Sequence, residues 1–259
     1  MQALVTGASS GIGLAYSREL ARMGHDVLLV SNQEEALNRA AADIEKEFGV
    51  KAIALYKDLT TPTACQEIYD FCQEHKMQVD ILINDAGMFF FNYLTNVPMA
   101  KIEAMLSLHM LVPTRLIRLF APGMQERRKG YILNMSSMTT DMIVPLIQCY
   151  DATKAYLDHF SRSMWYELKP YGINVLSMTP GAVDTELYNA SKEVRQLGVK
   201  LGITLTPEQL AKRALRELFR GRKKQYMPGL CNHLGKPFYK HFPDWFIFWL
   251  VKKVQKFMK

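Results

Sequence analysis

Tyr150 and Lys154 stand four residues apart at the start of a helical stretch, so both side chains project from one helix face. A phenol with an ordinary pKa near ~10 is a poor base at neutral pH. A neighbouring ammonium favours the phenolate, and bringing that pKa to about 7 requires roughly 4 kcal/mol of differential stabilisation. Burial and a second cation have to supply part of it. A phenol tuned in this way donates a proton to a forming alkoxide or takes one from an alcohol. Ser137 lies thirteen residues earlier, just past the apolar run Tyr131–Met135. Open α/β sheets place their ligands at such strand ends, where a hydroxyl can hold a substrate oxygen beside the phenol. Spacing alone is weak: Tyr188 and Lys192 repeat it, but Val175 stands where a hydroxyl would be needed.

A second constellation is Thr6-Gly7-Ala8-Ser9-Ser10-Gly11-Ile12-Gly13, between the first apolar run and a helical stretch. Glycines let the backbone turn sharply and approach a pyrophosphate, whose charge is held by free N–H groups at a helix N-terminus. No Gly-Lys-Ser/Thr follows, which argues against a P-loop hydrolase. After the second run comes Ser31-Asn32-Gln33-Glu34. An acid there would accept from the ribose of NAD, and Arg or Lys would pair with the extra phosphate of NADP. Neither stands at that point, and without a repelling acid NADP is favoured over NAD. Ser31 with Glu34 also reads as a capping box.

Elements that would position these groups alternate along the chain. Short runs at Ala3–Val5, Val27–Val30, Ala52–Tyr56, Ile81–Ile83, Tyr131–Met135 and Ile173–Ser177 are separated by helical stretches beginning near Gly11, Gln33, Thr61, Pro98 and Cys149. Such alternation implies right-handed βαβ crossovers and a doubly wound parallel sheet, an α/β Rossmann-like fold. Thr61-Pro62 offers a helix start, and Pro113 predicts a kink near His109. One domain is expected over 1–228, followed by an extension over 229–259.

The sequence resembles the short-chain dehydrogenase/reductase family over nearly all of residues 1–187. Thr6–Gly13 matches its TGxxxGIG turn, and Ser137, Tyr150 and Lys154 match its catalytic triad. The resemblance implies an oxidoreductase that moves a hydride between NAD(P) and a carbonyl or alcohol carbon. Its implied cofactor contacts are Gly7, Ser9, Ser10, Gly11, Ile12, Gly13, Ser31, Asn32, Asp58, Leu59, Asn84, Ala86, Gly87, Tyr150, Lys154, Pro180, Gly181, Val183 and Thr185. Asp58-Leu59 would contact adenine, the Pro180-Gly181 turn with Thr185 the nicotinamide carboxamide, and Lys154 the nicotinamide ribose. Homo-oligomerisation is likewise implied.

Two positions depart from the family pattern. Asp85 stands where a second Asn is usual, at a site that normally ties neighbouring strands together. His109 stands where the family usually has the Asn that positions a relay water behind the lysine, and it is counted with the catalytic set. Imidazole can hydrogen-bond water and titrates near neutrality. A packed histidine at a helix kink is an equal reading.

Composition narrows the partners. Net charge of +7 favours an anionic partner, yet no zinc-finger spacing, aromatic-glycine RNA signature or dense basic arm supports nucleic acid. The four cysteines form no CxxC pair and no cluster with His, so neither a metal site nor a disulfide framework is expected. The start, Met1-Gln2-Ala3-Leu4-Val5, leaves no room for a secretory signal, and a cytoplasmic location is expected. A variable lid over 186–205 and the run Met88–Phe91 with Tyr93 are apolar, favouring a hydrophobic acyl, sterol or lipid-like ketone and a place in lipid metabolism. Residues 242–259 run from the intensely apolar Phe242-Pro243-Asp244-Trp245-Phe246-Ile247-Phe248-Trp249-Leu250-Val251, apolar on every side of its first turns, to Lys252, Lys253, Lys256 and Lys259. That stretch is short of the ~20 residues needed to span a bilayer. It suits either peripheral membrane contact or cover for a pocket or partner subunit.

Overall fold

The computed structural model describes residues 1–185, 204–229 and 243–257. The expected lid, except its last two residues, and the Tyr188–Lys192 pair lie outside the described residues.

Six strands fall where the apolar runs predict: β1 Gln2–Thr6, β2 Asp26–Ser31, β3 Ala52–Tyr56, β4 Val79–Asn84, β5 Gly130–Met135 and β6 Ile173–Met178. A seventh, β7 (Gln225–Tyr226), is two residues long and carries no readable pattern. All pair in parallel in the order β3-β2-β1-β4-β5-β6-β7. Order reverses between β1 and β4, whose carboxyl ends open the crevice where doubly wound sheets hold ligands.

Helices cover both faces, which is why the central strands are apolar throughout. In β1, Ala3 and Val5 face a layer containing Leu20 of α1 (Gly11–Arg22), Leu37 and Ile44 of α2 (Glu34–Phe48), and Leu210 and Leu218 of α7 (Pro207–Arg220). Leu4 faces the other way, toward Ile68 of α3 (Ala64–Glu74), Leu116 and Phe120 of α5 (Val112–Glu126), and Leu168 of α6 (Gln148–Leu168). Each such fully buried aliphatic side chain contributes about 1.5–3 kcal/mol. Cys65 and Cys72 are buried on α3 as reduced thiols.

Local details differ from expectation in two places, whereas the kink near His109 falls where Pro113 predicts it. Helix α3 begins at Ala64 with Thr63 as its cap residue, so Thr61-Pro62 forms the preceding turn rather than the start. Helix α2 has Gln33 at its cap with no side-chain capping bond, because the Ser31 hydroxyl is taken by Ser9 and by the Gln33 N–H. The kink is one π turn, Ser107–Leu111, joining α4 (Met99–Leu106) to α5. Pro113 has no N–H for the carbonyl of His109 four residues back, so the regular ladder cannot run through this point. Helix α8 (Asp244–Phe257) closes the described chain.

Candidate active site

A cavity of about 840 Å³ opens at the carboxyl ends of the strands, across the point where the order reverses. Its wall brings together Gly7, Ser9, Ser10, Gly11 and Ile12 of the glycine turn, Ser31 and Asn32 after β2, and Asp58 and Leu59 after β3. Ala86, Gly87, His109, Ser137, Tyr150, Lys154, Pro180, Val183 and Thr185 complete the set that the sequence nominated. Gly13, Asn84 and Gly181 are not on the wall. Gly13 lies beneath it: a Cβ there would meet the Gly7 carbonyl oxygen at 2.3 Å, so the turn closes only on glycine. Gly7 itself has φ +70, a conformation that L side chains rarely adopt. Asn84 donates to Asn134 Oδ1 at 2.7 Å, and Asn134 donates to Ser161 Oγ at 2.8 Å, tying β4 and β5 to α6.

Strand tying therefore belongs to Asn84, and to Thr6 Oγ1, which accepts the backbone N–H groups of Asp85 and Ala86 at 3.1 Å each. The side chain of Asp85 takes no part in it. Its carboxylate turns toward the N-terminus of α1 and accepts the Gly13 N–H. Burial pushes the Asp85 carboxyl up to about 7, against the opposing pull of Lys154 and that N–H. Lys154 is buried too: its ammonium donates to the Met135 carbonyl at 2.7 Å and sits 5.6 Å from the Tyr150 ring centroid. Burial brings Lys154 down to about 8, and Asp85 holds it from falling further.

Tyr150 is 4% exposed and enters a small apolar cluster with Met105 and Ile147, against which Met88, Phe89, Phe90 and Val144 pack. The Phe89 ring meets the Tyr150 ring edge-on, with centroids 5.1 Å apart. The two loops forming this end are joined by the Asn92 N–H donating to the Leu146 carbonyl at 2.9 Å, and Leu146 holds φ 74. A non-glycine residue in that region stores backbone strain of about 1–3 kcal/mol. Ser137 follows β5 and its hydroxyl accepts the Thr139 N–H at 3.3 Å.

His109 is 1% exposed at the centre of the π turn. Its Nε2 accepts the Met88 N–H at 3.1 Å, and its Nδ1 lies 2.8 Å from Thr153 Oγ1. Because the Thr153 hydroxyl donates to the Tyr150 carbonyl, its oxygen accepts from Nδ1. The network assigns one neutral tautomer, protonated on Nδ1. Burial, with Lys154 adding to it, holds His109 well below its ordinary pKa. A Cβ on Gly87 would lie 2.9 Å from Nε2, so the glycine admits the imidazole.

A family profile described as short chain dehydrogenase matches residues 1–196. The chain belongs to that family. It is 36% identical over 196 residues to a very-long-chain 3-oxoacyl-CoA reductase of Anas platyrhynchos, covering 73% of this chain and 62% of the other. The inactive hydroxysteroid dehydrogenase-like protein 1 of Rattus norvegicus is 30% identical over 251 residues, covering 95% and 74%. Among solved structures, a short-chain dehydrogenase from Sphingobium yanoikuyae in complex with NADPH superposes with a TM-score of 0.79 at 32% identity, covering 88% of each chain. The chain spans 58–62% of the length of two curated relatives it matches.

This short-chain dehydrogenase also places on the wall residues outside the nominated set: Asp85 and Met88, singled out in the sequence for other reasons, and Lys57, Thr60, Ala104, Leu108, Met135, Ser136 and Asp184. Of these, Lys57 had a readable signal, a cation at the end of β3 directly before Asp58. Lys57 pairs with Glu67, while the Asp58 carboxylate accepts the N–H and hydroxyl of Thr60 at 2.9 and 2.7 Å. Among the described residues no group of three His, Cys, Asp or Glu is arranged to hold a metal.

Proposed function

We propose that the chain is an NADP-preferring reductase of a hydrophobic ketone, with Tyr150 as the proton-transferring group, Lys154 tuning it and Ser137 holding the substrate oxygen. The observation that carries this reading is the placement of Tyr150: one wall of the cavity holds its phenol beside a buried ammonium, and the same cavity runs to a glycine turn that a Cβ at Gly13 would block. Several features suit a dinucleotide. Ser10 makes no side-chain cap on α1, so that, the Gly13 N–H held by Asp85 apart, the helix start faces the cavity uncapped as a pyrophosphate site requires. Thr185 Oγ1 is buried on the wall without a hydrogen-bond partner among the described residues, as a carboxamide contact would be before its ligand arrives. Lys57 brings a cation near Ser31 and Asn32, where the extra phosphate of NADP would lie.

When bound, the nicotinamide supplies the hydride. The chain's own residues do the rest. Ser137 donates its hydroxyl to the carbonyl oxygen, Tyr150 protonates that oxygen as charge builds on it, and the Lys154 ammonium favours the phenolate left behind. Met88, Phe89, Phe90 and Val144 around Tyr150 exclude water and take an apolar chain. The duck relative's name makes a long 3-oxoacyl thioester the first substrate to try. His109, with both nitrogens engaged, serves as a positioning residue for Tyr150. Cys65 and Cys72, pushed up to about 11 and about 12 by burial, are unreactive thiols of the core.

The test is oxidation of NADPH, followed by its absorbance, with long-chain 3-oxoacyl thioesters and bulky apolar ketones. Turnover is expected, with a fall of at least about 100-fold in Tyr150→Phe. Activity that persists in that variant overturns the role of Tyr150. A dinucleotide-binding protein with little turnover is the second reading, favoured by the inactive relative and by Asp85 and His109. NADPH binding without turnover of any substrate tested would select it.

A further inference from the structure

Helix α8 presents Trp245, Phe248 and Trp249 to solvent, 70%, 67% and 50% exposed. Their spacing of three and four places them on one face of the helix, and Lys252, also exposed, continues that stripe one turn on. Ile247 and Val251, on the other side, are half-buried, as is Phe246, which stacks against Trp249. The apolar sequence of this helix is thus divided in space, with the aromatic residues outward. At ~1.5 Å per residue the helix is about 21 Å long, too short to cross a ~30 Å hydrocarbon core.

Two candidates could cover such a stripe, a second copy of the chain or a lipid surface. Three aromatic side chains expose about 400 Å² at most, half of what each partner buries in a stable protein interface. Two such helices face to face would also bring Lys252 of each toward the stripe of the other, like charge on like. Lys252 complements an anionic surface instead, where a lysine adds roughly fivefold to partitioning. Tryptophan beside lysine is the composition that settles at the headgroup level of a bilayer.

We propose that α8 lies in the plane of an anionic membrane, with Trp245, Phe248 and Trp249 in the headgroup layer and Lys252 at the lipid phosphates. The proposal is independent of the reductase reading, since binding is measured without turnover. The intact chain is mixed with phosphatidylcholine vesicles with and without phosphatidylserine, and co-sedimentation and tryptophan emission are followed. Two of the three tryptophans lie on α8, so binding is expected to shift emission to the blue. Binding is expected on the anionic vesicles, falling with added salt. Trp245→Ala with Phe248→Ala is expected to weaken it at least tenfold, with the far-UV melting curve unchanged. Lys252→Glu is expected to weaken it severalfold on anionic vesicles only. Absence of vesicle binding, or equal binding by the double variant, overturns the proposal. So does a double variant that converts a dimer to a monomer in sedimentation velocity without affecting vesicles, which would assign the stripe to a second copy.

Discussion

Asp85 and Lys154, both on the cavity wall and each feeling the other's charge, carry opposite shifts, the carboxyl raised to about 7 and the ammonium lowered to about 8, burial being the main cause of both. If Tyr150 depends on the Lys154 charge, activity declines as pH rises through about 8. Asp85 delays that decline by favouring the charged lysine. Asp85→Asn removes the favourable charge, lowers the Lys154 pKa further, and should move the alkaline limb of kcat/KM to lower pH. The measurement is a pH–rate profile of both proteins; coincident limbs would sink the coupling. His109 gives the complementary expectation. Held neutral by burial, it should add no inflection to the wild-type profile at the ordinary imidazole pKa near ~6.5. His109→Ala leaves the Met88 N–H without its acceptor and Thr153 without its donor. A loss of about 10-fold or more in kcat, with NADPH affinity kept, is expected in steady-state kinetics. Tyr150 and Lys154, the proposed proton-transfer pair, were legible because their spacing on one helix survives any tertiary arrangement. Asp85's turn toward Gly13 was not legible, because it depends on two loops that meet only in the fold.

At the scale of elements, six strands and the main helices could be read from runs and periods. Their edges were set by competitors that a linear reading cannot rank. Ser31 resembled a cap until Ser9, 22 positions away, claimed its hydroxyl. The two-residue β7 exists because β6 offers it pairing partners at Ser177 and Met178, so nothing local announces it. Conversely, a real capping box passed unnoticed: Thr206 Oγ1 accepts the Gln209 N–H at 3.3 Å, the Gln209 side chain returns the bond, and Pro207 follows the cap. Thr206→Ala should cost about 1 kcal/mol and lower Tm by roughly 2–4 °C in a thermal melt. Since α7 packs on α1, whose N-terminus opens the glycine turn, the loss bears on the crevice as well as the helix.

For the molecule as a whole, the proposed cofactor bridges the two halves of the sheet, from the turn after β1 to the loops after β4 and β5. A ligand at ~100 times its Kd adds about 2.7 kcal/mol to stability. NADPH should therefore raise Tm by roughly 5–10 °C. At equal concentration NADH should raise it less if Lys57 meets the extra phosphate. A differential scan separates these outcomes, and equal shifts would remove Lys57 from the account.

The reversal of strand order carries a kinetic consequence. Thr6 and Ile83, neighbours in the sheet, are 77 positions apart in the chain, so the central seam closes only after a long loop has been drawn in. A cofactor whose cradle is completed by that closure has nothing to grip beforehand. It should leave the refolding rate alone and act as a brake on unfolding, so that saturation lengthens the lifetime of the native state more than it hastens its arrival.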